Sequence, residues 1–192
     1  MGAVGLPRFA VVDVETSGLR PRRDRVLQIG LVAVEIDSEG GADAVDRWST
    51  LVRLRWPWSR VGPTAIHGLS RGVLRSAPRA AEAFAEFARR IDGAVFTAHN
   101  ARFDAAFLRR LARRAGVPLD LDHPLCTLDL SRRLDPDREL THGLADVCGR
   151  YGVALTNHHD ALADAEATAA VLPHLLRAHR VTDPTDLEPL LL

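Results

Sequence analysis

Two carboxylates, Asp13 and Glu15, stand two residues apart near the end of the apolar run FAVVDVETSGL, residues 9–19. The valines of this run favour a β-strand, and alternate residues of a strand share a face, so both carboxylates are predicted to point the same way. Two such groups on a core strand repel each other and are costly to desolvate unless a cation lies between them. The pair therefore predicts a divalent metal site whose remaining ligands come from elsewhere in the chain.

Asn100 and Asp104 form a second polar pair, four residues apart at the start of a predicted helix. Residues at this spacing share a helix face, and the helix follows a short strand directly. The carboxyl end of such a strand is where α/β proteins bind ligands. The alternative is that Asn100 only caps the helix and that Asp104 is a first-turn acid favoured by the helix dipole.

His159 and Asp164 form a third pair at the entrance of the last long helix. Asp164 shares its helical stripe with apolar residues, which predicts that its carboxylate faces inward and needs a partner. His159 is the candidate partner, although a solvated histidine near a helix cap is the alternative, and the neighbouring His158 has no assigned chemistry.

Hydrophobic periodicity predicts the elements that must position these pairs. Strands are predicted within residues 9–18 and at 26–36, 44–54, 94–98 and 124–127, and a short helical turn at 63–68. Helices are predicted at 79–92, 101–115, 128–134, 142–151 and from about residue 160, with Pro173 ending or kinking the last one. The close spacing of the first three strands indicates an antiparallel meander, and the strand-helix order after it indicates parallel crossovers. We expect one domain over residues 9–180, with tails at 1–8 and 181–192.

The composition of the 192 residues, 46% hydrophobic and 26% charged, is typical of a globular domain. All 25 basic residues are arginines, and 25 acidic residues balance them. The zero net charge argues against non-specific coating of long duplexes, so contact with nucleic acid must depend on bound metals or on local clusters such as the arginines at 20, 22, 23 and 25. Trp56 and Trp58 would either stack on bases or clamp an exposed loop.

The two cysteines, Cys126 and Cys148, lie in neither a C-x-x-C pair nor a zinc-spaced cluster, and we interpret them as reduced core thiols. The sequence has no signal-peptide pattern and no apolar stretch long enough to cross a membrane. These features predict a cytoplasmic protein without a membrane partner.

Three segments resemble the three exonuclease motifs of the DEDDh-type 3′-to-5′ exonucleases. They are DVETSG at residues 13–18, HNARFD at 99–104 and HDALADA at 159–165, in the family's order. Within that family the nearest likeness is to the proofreading epsilon subunit of bacterial DNA polymerase III and its stand-alone relatives. The resemblance covers residues 9–176. The sister class has a tyrosine four residues before the last aspartate, whereas this sequence has Asp160 there, which favours the histidine subclass.

The resemblance implies a ribonuclease-H-like α/β fold, a mixed five-stranded sheet flanked by helices. It also implies that two divalent cations, Mg²⁺ or Mn²⁺, are held by four carboxylates and that His159 is the general base. The four carboxylates are Asp13, Glu15, Asp104 and Asp164. The chemistry agrees, because phosphodiester hydrolysis suits two cations about 4 Å apart, and oxygen ligands favour magnesium or manganese over zinc. A histidine with an ordinary pKa of about 6.5 can accept the proton of the attacking water.

The resemblance further implies substrate-binding residues, each of which is also a common turn or cap residue. Thr16 and Ser17 match the contacts to the 3′-terminal nucleotide, Thr64 and His67 match the segment that lines its pocket, and Asn100 would position phosphate or order the metal site.

The predicted function is a metal-dependent 3′-to-5′ exonuclease that releases nucleoside 5′-monophosphates from single-stranded or frayed DNA ends, in proofreading or repair. Its predicted partners are single-stranded nucleic acid, with DNA favoured over RNA, and a DNA polymerase subunit as a candidate. No glutamine-led sliding-clamp motif is found, because the only glutamine is Gln28, inside a predicted strand. The alternatives are an exoribonuclease acting on RNA or short oligoribonucleotides, and a non-catalytic, polymerase-associated binding module.

Overall fold

The computed structural model describes residues 5–37, 40–56 and 58–192, and its centre is a five-stranded sheet of order β3-β2-β1-β4-β5. In chain order the strands are β1 (Phe9–Thr16), β2 (Val26–Ile36), β3 (Ala42–Leu51), β4 (Val95–Ala98) and β5 (Leu125–Cys126). β1 and β3 pair with β2 in antiparallel fashion, whereas β4 is parallel to both β1 and β5. The mixed sheet flanked by helices confirms the predicted fold class.

Eight α-helices and one 3₁₀ turn, Glu188–Leu190, accompany the sheet in the described part of the chain. The helices are α1 (Thr64–His67), α2 (Arg71–Arg75), α3 (Ala80–Ile91), α4 (Ala101–Ala115), α5 (Thr127–Arg133), α6 (Leu144–Tyr151), α7 (Ala161–Ala178) and α8 (Pro184–Leu187). The two short helices α2 and α8 were not predicted, because five or four residues are too few for hydrophobic periodicity to show. None of these helices is long and apolar enough to span a membrane.

Two hydrophobic layers cover the two faces of the sheet. Ala10, Val12 and Val14 of β1 belong to one buried cluster with α3 and α4. Phe9 and Val11 alternate with them and belong to a second cluster with α5, α6 and α7. Strand β1 is therefore buried on both faces. Because strand side chains alternate between faces, residues 13 and 15 lie on the same face as Val11, towards α7.

Helix α7 does not end at Pro173, so that part of the expectation was wrong. Pro173 is buried, and the helix continues to Ala178. A proline inside a helix removes one backbone hydrogen bond, but Leu172, Leu175 and Leu176 around it are buried in the second cluster. Apolar packing on both sides of the proline thus offsets the lost bond.

The third strand covers residues 42–51 instead of the predicted 44–54. Its pairing with β2 ends where Leu51 lies opposite Gln28, and beyond that point only the bond from Val52 N to Leu27 O continues. Leu54, the apolar residue that lengthened the predicted strand, instead packs against a small cluster that includes Leu74 of α2, and Val52 is buried in the first cluster.

The last residues, 181–192, pack against the domain. Leu187 is buried, Leu191 forms a β-bridge with Leu125 of β5, and Leu192 N donates to Pro124 O at 3.0 Å. This leucine-rich segment therefore covers the outer edge of β5.

Candidate active site

The face of β1 that presents Phe9 and Val11 towards α7 continues into Asp13 and Glu15. Pairing of β1 with β4 stops at Val11, so the two carboxylates lie on the part of β1 that extends past the parallel strand. They therefore stand together at the carboxyl end of β1, as the sequence predicts.

The start of α7 packs directly on β2, opposite these carboxylates. Gly30 lies across from Asp13 in the β1–β2 register, and a Cβ atom there would overlap the backbone of Ala161. Only glycine permits this approach. Gln28, across from Glu15, donates from Nε2 to Asp160 Oδ2 at 3.0 Å.

Asp160 caps α7 at the same point. Its Oδ1 accepts from Leu162 N at 3.0 Å and from Ala163 N at 3.2 Å, which satisfies two of the free amides at the helix start. With the helix start held on β2 in this way, Asp164 comes one turn later on the buried face, beside the end of β1.

One carboxylate oxygen from each of Asp13, Glu15 and Asp164 lies within 4.8 Å of the other two. The three acidic side chains come from β1 and α7, about 150 residues apart in the sequence. The structure thus brings three of the four predicted metal ligands close enough together to share a cation.

Asp104, the fourth predicted ligand, reaches the end of β1 from α4. It is buried, and its Oδ1 accepts from Val14 N at 3.2 Å, an amide beyond the end of the β4 ladder. Asn100 begins α4 with a left-handed backbone, φ 83°, and its side chain makes no capping bond. Asn100 thus stands at the N-cap position without capping the helix through its side chain, and Asp104 in the first turn fixes β1 beside the carboxylate cluster.

Burial and mutual repulsion raise the pKa values of these acids. Loss of hydration, with the nearby charges of Asp164 and Asp160, raises the pKa of Glu15 to about 7. Burial, with the charge of Glu15, raises the pKa of Asp104 to about 8 against two backbone hydrogen bonds that lower it. The pKa of Asp13 lies well above its ordinary value, first through burial and then through Asp104.

Both histidines of the 158–159 pair lie against Asp164. His158 Nδ1 is 3.0 Å from Asp164 Oδ1, whereas His159 uses its backbone N to donate to Asp164 Oδ2 at 3.1 Å. The two rings stack with centroids 3.9 Å apart, and His159 has a left-handed backbone, φ 73°. Such backbone strain in a residue other than glycine is common at active sites. Both imidazoles therefore lie beside Asp164, and the role of His159 as the base stays a prediction.

The predicted substrate-binding residues lie around the end of β1. Thr16 Oγ1 donates to Gly18 O at 2.7 Å, and Ser17 Oγ accepts from Arg25 N at 2.9 Å. Gly62, just before α1, packs on the backbone of Ser17. The segment that carries Thr64 and His67 therefore lies next to the carboxylate cluster.

Thr64 and His67 differ in their surroundings. Thr64 is exposed at the start of α1. His67 is buried, its Nδ1 accepts from Leu69 N at 3.1 Å, and its Nε2 lies 3.2 Å from Val61 O. Both ring nitrogens of His67 are engaged in holding this turn.

The sequence interpretation missed three residues at the site: His158, Gln28 and Asp160. The doubled histidine before the last motif was visible, but its contact with Asp164 depends on the turn before α7. Gln28 and Asp160 are 132 residues apart, and no local pattern relates them. Their hydrogen bond fixes the helix that carries Asp164.

The donor set fits divalent cations. The pKa values of Asp13, Glu15 and Asp104 are raised, and Asp164 lies with Asp13 and Glu15 in the oxygen cluster at the carboxyl end of β1. Cations that share these carboxylate oxygens would relieve the repulsion between the four groups. Asp13, Glu15, Asp104 and Asp164 would hold the ions.

Comparison with known families agrees with this geometry. The exonuclease family model (RNase_T) matches residues 10–172 of the chain. The chain belongs to the exonuclease family. Its resemblance to DEDD-type 3′-to-5′ exonucleases is confirmed, and the family's general use of divalent metal ions accords with the acidic cluster.

The most similar curated proteins include the PolC-type DNA polymerase III of Staphylococcus epidermidis and that of Staphylococcus aureus. Each is 34% identical over 165 residues, which covers 85% of this chain but only 11% of the polymerase. This exonuclease chain thus spans about a tenth of the length of those relatives.

Solved structures share the fold. Exonuclease I of E. coli in complex with a dT13 oligonucleotide has a TM-score of 0.70 and 21% identity, over 88% of this chain and 41% of that chain. Exonuclease X in complex with 5′ overhanging duplex DNA has a TM-score of 0.65 and 25% identity, over 89% and 91%.

The raised pKa values predict how stability depends on pH without metal. In unfolded chains these carboxyls titrate near pH 4, so between about pH 4 and 8 the folded exonuclease binds protons that the unfolded chain releases. Stability must therefore fall as pH rises through this window. We expect the melting temperature in EDTA to drop by roughly 5 °C or more between pH 5 and 8.5, and Mg²⁺ or Mn²⁺ to restore it mainly at the higher pH.

The Asp13→Asn variant is the control for this melting series, because it removes one of the carboxyl groups whose pKa is raised. Burial lowers the pKa of His99, which acts in the opposite direction below about pH 6.5 and is common to both proteins. The difference between the two melting curves therefore isolates the carboxylates. Equal slopes for both proteins would contradict the assigned pKa shifts.

Proposed function

We propose that this chain is a metal-dependent 3′-to-5′ exonuclease that releases nucleoside 5′-monophosphates from single-stranded or frayed DNA ends. One observation carries the proposal: the oxygens of Asp13, Glu15 and Asp164 converge within 4.8 Å at the sheet edge where His159 also lies. A carboxylate cluster of this kind beside an imidazole is suited to phosphodiester hydrolysis.

When bound, two divalent ions would supply Lewis-acid stabilisation of charge on the phosphate and its leaving oxygen. The four carboxylates would hold those ions at the end of β1, beside the start of α7. His159 accepts the proton of the attacking water and is held at the helix entrance by its backbone bond to Asp164. The water oxygen forms a bond to phosphorus as the P–O3′ bond breaks, the 3′-oxygen of the shortened strand takes up a proton from solvent, and the phosphate remains on the 5′ side of the released nucleotide.

We place the 3′-terminal nucleotide between the end of β1 and α1. Thr16 and Ser17 lie at the strand end, Thr64 is exposed on the opposing helix, and Asn100 is exposed at the start of α4. His67 supports the α1 turn from inside. These residues would contact the terminal nucleotide through exposed polar groups and backbone.

Proofreading or repair, with a polymerase as a partner, is supported by the similarity to PolC-type polymerases. The nucleic-acid complexes of Exonuclease I and Exonuclease X support DNA as the substrate. Two buried free thiols, Cys126 and Cys148, are typical of a reducing compartment, and we propose the cytoplasm.

End-labelled oligonucleotides test the proposal. With Mg²⁺ or Mn²⁺, a 5′-labelled single-stranded DNA should shorten one nucleotide at a time from its 3′ end, and the products should be 5′-monophosphates. A matched RNA run in parallel decides between deoxyribonuclease and exoribonuclease. Absence of hydrolysis of both, with no binding of divalent ions by calorimetry, would instead support a non-catalytic binding module.

A further inference from the structure

Five arginines and one carboxylate, Asp24, line a cavity on the side of the sheet covered by α3 and α4, and one of these arginines, Arg53, donates from Nε to Ala77 O at 2.8 Å. Arg25 comes from the β1–β2 loop, Arg55 from the segment after β3, and Arg110 and Arg114 from α4. The cavity measures about 340 Å³ and has an apolar floor that includes Val52. We call this cavity, with the arginines at 25, 55, 110 and 114, the arginine groove.

The arginines of the groove outnumber the one carboxylate that lines it, Asp24. In the part of the chain that the structure describes, none of the four arginines forms an ion pair with a carboxylate. Arg25 and Arg110 instead donate to backbone carbonyls, and the Nε of Arg110 is buried without a hydrogen-bond partner among the described residues. Burial and the neighbouring guanidinium groups lower the pKa of Arg114. In a protein of zero net charge, such a cluster favours an anionic ligand.

Another arginine-lined cavity, of about 710 Å³ between α4 and α5, has a smaller excess of arginines over carboxylates. Two carboxylates, Asp129 and Asp135, also line it, and Arg132 pairs with Asp129 at 3.6 Å. Its positive charge is thus partly neutralised within the protein.

Aromatic rings accompany the arginines of the groove. Trp56 lines the cavity, with the guanidinium of Arg55 5.0 Å from its ring centroid. Trp58 stacks on Trp56 at 5.4 Å and is 75% exposed. Guanidinium groups match phosphates, and exposed indoles match the faces of bases. This combination favours single-stranded nucleic acid over an acidic protein surface.

Arg25 brings one end of the groove close to the end of β1 that carries the carboxylates. Arg25 N donates to Ser17 Oγ, and Ser17 N donates to Arg25 O, both at 2.9 Å, two residues beyond Glu15. Arg110 and Arg114 lie six and ten residues after Asp104 on α4, or about 9 and 15 Å along the helix axis. At the rise of about 3.4 Å per nucleotide of a stacked strand, that span corresponds to roughly three to four nucleotides.

We propose that the arginine groove binds the single-stranded part of the substrate that continues away from the catalytic centre, with phosphates on Arg110 and Arg114 and a base on Trp58. This inference rests on the proposed nuclease function, because it assigns the path of that same substrate.

Fluorescence anisotropy in EDTA tests the groove without hydrolysis. The double variant Arg110→Ala/Arg114→Ala should bind a labelled single-stranded decamer about ten- to a hundredfold more weakly. Its plot of log K against log salt should lose a slope of about 1.4, since each phosphate contact contributes about 0.7. Binding of a labelled dinucleotide, which is too short to reach the groove, should change less than twofold. Trp58→Ala should weaken decamer binding without changing the salt slope.

The matched control is Arg109→Ala/Arg113→Ala, which removes the same charge from the neighbouring face of α4; Arg109 lines a different cavity. It should bind the decamer within twofold of the unsubstituted protein. Equal losses in both double variants, equal loss for dinucleotide and decamer, or no decamer binding by the unsubstituted protein would each overturn the proposal. Because no cleavage is measured, failure of the nuclease function would show separately, as absent digestion with Mg²⁺.

Discussion

The Asp164→Asn variant is expected to lose digestion of a single-stranded oligonucleotide by at least about a thousandfold. Asn keeps the size of the side chain but removes one of the three negative charges in the oxygen cluster that Asp164 forms with Asp13 and Glu15. Bound cations supply several kcal/mol of transition-state stabilisation, and each 1.4 kcal/mol or so changes the rate tenfold. Release of labelled nucleotide with Mg²⁺ measures the loss, and calorimetry with Mn²⁺ should show weakened ion binding.

Glu166→Gln is the matched control, because it removes the same charge from the same helix two residues further along. Glu166 is exposed and pairs with Arg47 at 3.2 Å, away from the cluster. It should retain digestion within about twofold, since exposed ion pairs contribute little. Undiminished digestion by Asp164→Asn would refute the assignment of this carboxylate as a metal ligand.

Replacement of His159 by Ala should lower the rate of hydrolysis by about 10²- to 10⁴-fold while largely sparing ion binding. His158→Ala should lower the rate of hydrolysis by less than about tenfold. The Nδ1 atom of His158 lies 3.0 Å from Asp164 Oδ1, but a bound ion would take that oxygen and so replace the contact. Single-turnover digestion of both variants, with Mn²⁺ affinity measured in parallel, separates the two roles.

The histidine comparison has two informative reversals. A larger loss in His158→Ala than in His159→Ala would make His158 the base. Parallel loss of rate and of ion affinity in His159→Ala would make His159 a ligand instead, in keeping with the proximity of both imidazoles to Asp164.

Much of the carboxylate cluster at the end of β1 could be predicted from short-range patterns. Period-two alternation placed Asp13 and Glu15 on one face of a strand, and helical spacing placed Asp164 on the inward stripe of α7. The family resemblance supplied the role of Asp104 as a metal ligand and the mixed five-stranded sheet, which neither period alone determines. These features were accessible because each depends on residues that are neighbours in the chain or in a motif.

The sequence by itself thus determined the strand that carries the first two carboxylates, the helices that carry the others, and the family. Only the tertiary structure decided that Gly30 and Gln28 dock α7, that His158 reaches Asp164, and that arginines from three segments surround one cavity. The physical reason is that periodicity reports which face of an element is buried, whereas the identity of its partner depends on how faces far apart in the chain pack together.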